Sequence, residues 1–359
     1  MKISFFGSSI LSSFWNGAAT YYRGIIKALH MRGHQVTFYE PKAFDRQKKQ
    51  DIDNPDYAEV VIYEPTETAA LDMLHRAKSD DMIVKASGVG VLDDFLEDAV
   101  LRLRKFDQLV IFWDVDAPAT LYRVQKNIDD PFRSLIPLYD CILTYGGGQP
   151  VIDKYTAFGA RDCFPIYNAL DSGSHYPVEP KPRFEADLAF LGNRLPDRES
   201  RVELFFLDAA AALPNKRFLL GGSGWSDKPL PPNVNYIGHV SSDDHNAFNS
   251  TPIAVMNICR SSMAEIGYSP PTRVFEAAGA GACIISDDWE GIDQFLIPQQ
   301  EVLTVKNTDD VVKVVGSLTK EQAKNIGSAA LQKVSDAHTY RQRALEFEKV
   351  FTRVNSNIG

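Results

Sequence analysis

Residues 2–39, KISFFGSSILSSFWNGAATYYRGIIKALHMRGHQVTFY, decide the fold. Lys2 to Phe6 is a short apolar run that ends at Gly7, and small or polar residues follow through Asn16 and Gly17. Tyr21, Ile25, Ile26 and Leu29 then recur at helical spacing until Arg32, Gly33 and His34 stop the helix. Gln35 to Tyr39 is the next strand. Strand, glycine-containing loop, helix, glycine stop and strand make a βαβ unit, whose crossover favours a parallel sheet. A lysine before apolar residues also mimics a secretion signal. Gly7, Ser8, Ser9, Ser12 and Ser13 interrupt that run, so it reads as a first strand.

The pattern repeats along the chain. Strands are predicted at Glu59 to Tyr63, Met82 to Ala86, Gln108 to Trp113 and Cys141 to Tyr145, with helices at Glu67 to Ala77 and about Leu92 to Arg104. From Pro165 to Arg183 prolines sit among Ser, Gly and charges, a linker composition. The alternation restarts at Ala186 to Leu191, with further strands at Arg217 to Leu220, Val234 to Ile237, Ile253 to Asn257, Cys283 to Ser286 and Val302 to Val305. Helices are predicted at Glu199 to Leu213, Asp243 to Asn249, Pro271 to Ala280 and Ile292 to Leu296, and a last amphipathic one at Thr339 to Val354. The expected division is an amino-terminal unit 1–170, a linker 171–185, a second unit 186–336 and a closing segment 337–359 crossing back to the first. In such sheets ligands bind at the carboxyl ends of the strands, and two units facing each other would form a cleft.

Composition narrows the function. The 359 residues suit about two domains. Hydrophobic residues make up 44% and charged residues 24%, so the chain has the means to build cores. With 38 basic against 47 acidic residues the net charge is −9, which disfavours nucleic acid or an anionic membrane surface as partner. No apolar run approaches the roughly 18 residues of a membrane span, so the chain reads as soluble. Its 4 cysteines, at 141, 163, 259 and 283, form no C-x-x-C pair, which fits a reducing cytoplasm rather than a zinc site or disulfide scaffold.

The richest segment is CRSSMAEIGYSPPTRVFEAAGAG, residues 259–281. Ser269 before Pro270 and Pro271 reads as a helix start, with Ser269 as the cap. The partial positive charge and free N–H groups of a helix amino terminus suit a phosphate or a sugar hydroxyl. Thr272 and Arg273 fall in the first turn and Glu276 one turn later on nearly the same face. Taken alone, Glu276 and Arg273 read equally as surface helix residues.

The ordered segments GNRLPDR (192–198), LLGGSGW (219–225), YIGHVSSDDHNAFN (236–249), SPPTRVFEAAGAGACIISDDWEGIDQFL (269–296) and EVLTV (301–305) resemble the nucleotide-sugar-binding domain of GT-B glycosyltransferases. More narrowly the chain resembles the bacterial CgeB-like family, named for a spore maturation protein. The resemblance implies an α/β fold of two Rossmann-like parallel-sheet domains facing a cleft. It also implies a nucleotide diphosphate-sugar donor, UDP-sugar favoured, and no permanently bound cofactor or metal. By it, Glu276 accepts hydrogen bonds from the ribose hydroxyls, while Arg194 and Arg198 face the diphosphate. Gly238, His239 and Val240 present backbone to the base, and Gly291 opens a phosphate-facing turn. Gly192, Asn193, Gly222, Trp225, Arg260, Ser269, Thr272 and Arg273 fall in the same donor-binding segments. Gly238 and Gly291 also read as turn glycines, and Arg194 and Arg198 as exposed arginines. One departure stands out: retaining GT-B enzymes carry a second glutamate eight positions before the ribose carboxylate, and here that position is Tyr268.

In the first half, Asn16 and Gly17 form a turn whose small polar groups would face substrate. The family's histidine after this Asn-Gly is replaced by Ala18 and Ala19. WDVDAPATL, residues 113–121, holds Asp114 and Asp116 at the end of an apolar strand. A D-x-D also suits a divalent cation, a reading set aside because the donor segments lie in the other half. Asp116 is the candidate to deprotonate an acceptor hydroxyl, with Asp114 beside it at the substrate; Asp116 reads equally as the cap of the turn before Pro118. His34 and His175 read as surface residues. The expected activity is glycosyl transfer to an unknown saccharide, protein or small-molecule acceptor. A nucleotide-sugar epimerase or hydrolase, or a non-catalytic sugar-nucleotide-binding component of a surface assembly, fits the same fold.

Overall fold

The computed structural model describes residues 1–14 and 16–358. Trp15, in the loop after the first strand, and Gly359, the end of the predicted closing segment, lie outside the described residues. The chain divides into two compact units, one of Met1–Asn168 with Tyr340–Gly359 and the other of Ala169–Thr339.

The first unit is a parallel sheet of β1 (Lys2–Phe6), β2 (Gln35–Pro41), β3 (Glu59–Tyr63), β4 (Met82–Ala86), β5 (Leu109–Asp114), β6 (Cys141–Thr144) and β7 (Cys163–Pro165), in the order β3-β2-β1-β4-β5-β6-β7. The Lys2–Phe6 run is thus a central strand, paired with Gln35–Tyr39 on one side and Met82–Lys85 on the other. Every residue of β4 and β5 is buried, as a parallel sheet covered on both faces requires. The last helix, Tyr340–Ile358, packs on helix Ala19–Met31, where a Cβ on Gly24 would overlap the Tyr340 ring. Arg32 and His34 both reach Glu348 there, at 2.6 and 3.0 Å. His34 is therefore buried under that helix rather than at the surface.

The second unit repeats the plan with β8 (Leu188–Leu191), β9 (Phe218–Gly221), β10 (Val234–Gly238), β11 (Ala254–Asn257), β12 (Ile284–Asp287) and β13 (Leu303–Val305), in the order β10-β9-β8-β11-β12-β13. All ladders are parallel, β8 pairing residue for residue with β9 from Leu188 with Phe218 to Leu191 with Gly221. Phe190, Phe206, Phe218 and Trp225 build its core on one face. The order of strands reverses between β8 and β11, so the loops after these two strands open a crevice at their carboxyl ends.

Residues 171–185 do not behave as a free linker; they belong to the second unit. Phe184 is buried edge-on against Phe248 at 5.5 Å, and Lys181 and Arg183 both pair with Asp244. The prolines of this stretch shape a packed strap. Among the described residues, no helix is long and apolar enough to cross a membrane, and all four cysteines are free and buried.

Candidate functional site

Two loops meet at the strand reversal of the second unit. The one after β8 carries Gly192 to Arg198 and the one after β11 carries Ile258 to Arg260; Arg260 Nε donates to Asp197 at 3.0 Å and Ser262 Oγ to the same carboxylate at 2.8 Å. Behind them Asp287, at the end of β12, accepts from the Cys259 amide and pairs with Arg201 at 2.5 Å. The buried Asp287 carboxylate, paired with the half-buried Arg201, holds the β11 loop against the sheet.

Arg198 is the electrostatic centre. Its Nη2 donates to the Asn193 carbonyl at 2.6 Å, and its Nε is buried without a partner among the described residues. Burial first, then the positive charges of Arg273 and Arg260, pull its guanidinium down to about 10. It still carries its charge at neutral pH. The Arg198 guanidinium thus feels two other positive charges, one from the β11 loop and one from the first turn of helix Thr272–Gly279.

Arg273 and Glu276 come from helix Thr272–Gly279. Burial lowers the Arg273 guanidinium and the Glu276 charge opposes that shift. The helix starts at Thr272 with Pro271 in the cap position and no side-chain cap, so Ser269 is buried beside the helix start rather than capping it. The helix amino terminus therefore has no side-chain cap, and the Val274 amide bonds back to the Pro271 carbonyl at 3.0 Å.

Other predicted residues hold the loops. Trp225 is 0% exposed, its indole N–H donating to the Gly192 carbonyl at 2.8 Å, so it props the β8 loop from within the core. Gly222 has φ +113°, and a Cβ there would overlap the Gly192 carbonyl. Only glycine lets these two loops approach so closely. The Asn193 side chain is engaged by the Ser223 amide at 2.9 Å. Arg194 pairs with Glu199 at 2.7 Å and Asp227 at 3.0 Å, so its charge is already answered by carboxylates. Gly238 bends the end of β10 at φ +72°. His239 is exposed beyond it, and buried Val240 offers its carbonyl to His245 at 3.3 Å. Gly291, at φ +86°, lies under the Tyr268 ring, whose hydroxyl donates to Glu290 at 3.1 Å. The position that lacks the second glutamate therefore presents a tyrosine bonded to a neighbouring one.

In the first unit Asp114 is 0% exposed and accepts from Ser87 at 2.7 Å, Tyr155 at 2.5 Å, Thr120 at 3.0 Å and the Asp116 amide at 3.0 Å. Burial raises its carboxyl in spite of these donors. Asp114 thus ties the β5 loop together, its oxygens turned to donors of the protein itself. With its oxygens engaged, the D-x-D cannot clamp a cation with both carboxylates. Asp116 stands at the cap position of helix Ala117–Lys126 without a side-chain capping bond. Asn16 is also structural: it accepts from Ser8 and donates to the Ser9 and Ser12 carbonyls, folding the β1 loop on itself. Gly17 beside it is exposed, with open space where a side chain would stand.

The sequence reading missed His175. It lies 3.8 Å from Glu276, largely buried, and not at the surface.

Two parallel sheets of this topology, each with its crevice at the strand reversal, occur in known structures. A sucrose-phosphate synthase from Thermosynechococcus elongatus superimposes with a TM-score of 0.73 over 99% of this chain and 100% of that one, at 12% identity. The Anabaena protein HepE in complex with UDP and glucose gives 0.68 over 98% and 100%, at 13% identity. The fold is GT-B. The lipopolysaccharide outer core galactosyltransferase WaaB shares it at a TM-score of 0.63 over 98% of this chain and 100% of that one, with 14% identity. A family profile described as "Glycosyl transferase-like" matches residues 198–349, a span that starts at Arg198 and includes Arg260, Arg273 and Glu276. No curated protein matches the chain by sequence.

Proposed function

We propose that this chain is a glycosyltransferase that moves a hexose from a UDP-sugar to an acceptor hydroxyl. One observation carries the reading: Arg198, Arg260 and Arg273 gather, beside Glu276, at the strand reversal of a GT-B second unit. A departing nucleoside diphosphate gains negative charge as the glycosidic bond breaks, and fixed guanidiniums stabilise that charge without reorganising. Glu276, one turn into its helix, accepts from the ribose hydroxyls, one carboxylate gripping two neighbours. The UDP held by HepE on the same fold supports uracil as the base. Arginines take the part of a metal ion, so the reaction needs none.

Asp116 takes the proton of the acceptor hydroxyl, and the Asp114 network holds its loop in place. The acceptor belongs to the loops at the carboxyl ends of the first unit's strands. The motif order from residue 192 to residue 305 supports a place in the CgeB-like family, and the composition supports work in the cytoplasm. The test is thermal denaturation with UDP, ADP, GDP and UDP-glucose. UDP at a hundred times its Kd should stabilise the protein by about 2.7 kcal/mol. A panel in which no nucleoside diphosphate moves the melting temperature would overturn the reading.

A further inference from the structure

The segment carrying His175 is built against the Glu276 helix with more care than a strap requires. Asp171 organises the turn: its carboxylate accepts from the Gly173 amide at 3.0 Å and the Ser174 hydroxyl at 3.0 Å, and its carbonyl from the His175 amide at 2.9 Å. From helix Ser242–Ser250, Asn246 donates to the Ser174 carbonyl at 2.9 Å. From the other side, Gly279 leaves room for the His175 backbone, whose carbonyl would lie 3.2 Å from a Cβ there. These three anchors deliver the imidazole to Glu276, with Nε2 3.8 Å from Oε1 and side-chain exposures of 13% and 19%. The ring's Nδ1 is buried with no hydrogen-bond partner among the described residues.

A separation of 3.8 Å is too long for a hydrogen bond and short enough for a strong charge interaction. We infer that His175 is a positioning residue that sets, through its charge, whether the Glu276 carboxylate is free for the ligand. This rests on the reading of Glu276 as the ribose-binding carboxylate. With a neutral imidazole there is no charge to draw that oxygen across the 3.8 Å gap, and the carboxylate stays available to the ribose. With an imidazolium the gap closes to an ion pair, and the carboxylate turns from the ribose. The other charged groups facing Glu276 are Arg273, on its own helix, and His245, on helix Ser242–Ser250. Burial pulls His245 down, away from the charged form. Arg273 is cationic throughout the accessible range. Histidine is the side chain whose charge changes across mildly acid to neutral pH.

The experiment is calorimetric titration of the full chain with UDP-glucose from pH 5.5 to 8, chosen because the sugar nucleotide's diphosphate does not itself titrate there. Wild type should bind about fivefold more weakly at pH 5.5 than at pH 8, the strength of one good ion pair. His175→Phe should remove that slope, and His175→Gln serves in its place should the phenylalanine variant fail to fold. A flat wild-type profile, or a folded His175 variant that keeps the wild-type slope, would overturn the inference. Glu276→Ala separates the two claims: its binding at pH 8 should fall sharply. Unchanged binding there would remove the ribose reading itself, whereas a sharp fall combined with an unaltered slope in the His175 variants would remove only the positioning role.

Discussion

Replacing Arg198 with methionine should make the unliganded protein more stable and the liganded protein less so. On folding, burial beside Arg273 and Arg260 pulls the guanidinium down to about 10. At 1.36 kcal/mol per pKa unit, that depression disfavours the folded state by about 3 kcal/mol wherever the group is charged. The sign follows from a depressed cationic pKa: the penalty is complete below pH 10 and fades only as the pH rises above it. Methionine removes the charge, fills much of the space and forfeits the bond to the Asn193 carbonyl, a loss of about 1.5 kcal/mol. The net gain is about 1–2 kcal/mol, a rise of a few degrees in melting temperature. The opposite holds for UDP, since a charge-assisted bond to phosphate contributes about 1.5–3 kcal/mol. At a concentration a hundred times the wild-type Kd, the stabilisation should drop from about 2.7 kcal/mol to about 0.3–1.3 kcal/mol. Differential scanning calorimetry with and without UDP reads both numbers. A variant that melts lower when empty, yet gains as much from UDP as wild type, would show that Arg198 is scaffold and not anion site.

Other consequences follow the same reasoning. Glu97 is 3% exposed, and burial raises its carboxyl to about 7 against the pull of Lys85 and Arg123. Its ionisation therefore opposes folding above pH 7, so Glu97→Gln should raise the melting temperature at pH 8 and make little difference at pH 4.5, a contrast of up to about 3 kcal/mol. Gly222→Ala places a methyl on the Gly192 carbonyl at a positive φ; urea denaturation should show a loss of at least about 2 kcal/mol, with weaker UDP binding. Asp116→Asn should lower the transfer rate by about 10²–10⁴ while UDP affinity stays at the wild-type value, checked by product analysis beside calorimetry.

Much of the fold is legible in local pattern. Glu59–Tyr63, Glu67–Ala77 and Met82–Ala86 are bounded as their periodicity predicts, because each shows an apolar period closed by turn residues. Helix Lys320–Ala337 escapes that logic: its buried face is Ala323, Gly327, Ala330 and Val334, small residues that permit close packing on the backbone at Gly281 and show no large apolar stripe. Strand Cys163–Pro165 is hidden by the prolines that begin the supposed linker. At the site, Arg273 and Glu276 are readable because three residues on one helix fix their relation. The gathering of Arg198 with Arg260 is not, since 62 residues separate them and only the strand order brings their loops together. Polar residues in loops are the hardest to interpret. Asn16 and Asp114 satisfy neighbouring hydrogen-bonding groups, and Trp225 does the same with its indole, where ligand contact was expected.

The most direct measurement is calorimetric titration of UDP into wild type and Glu276→Ala at pH 8. Wild type should bind, and the variant, with a melting temperature close to wild type's, should bind at least about tenfold more weakly, as the loss of a charged acceptor for ribose hydroxyls requires. Equal affinities in two folded proteins would contradict the account.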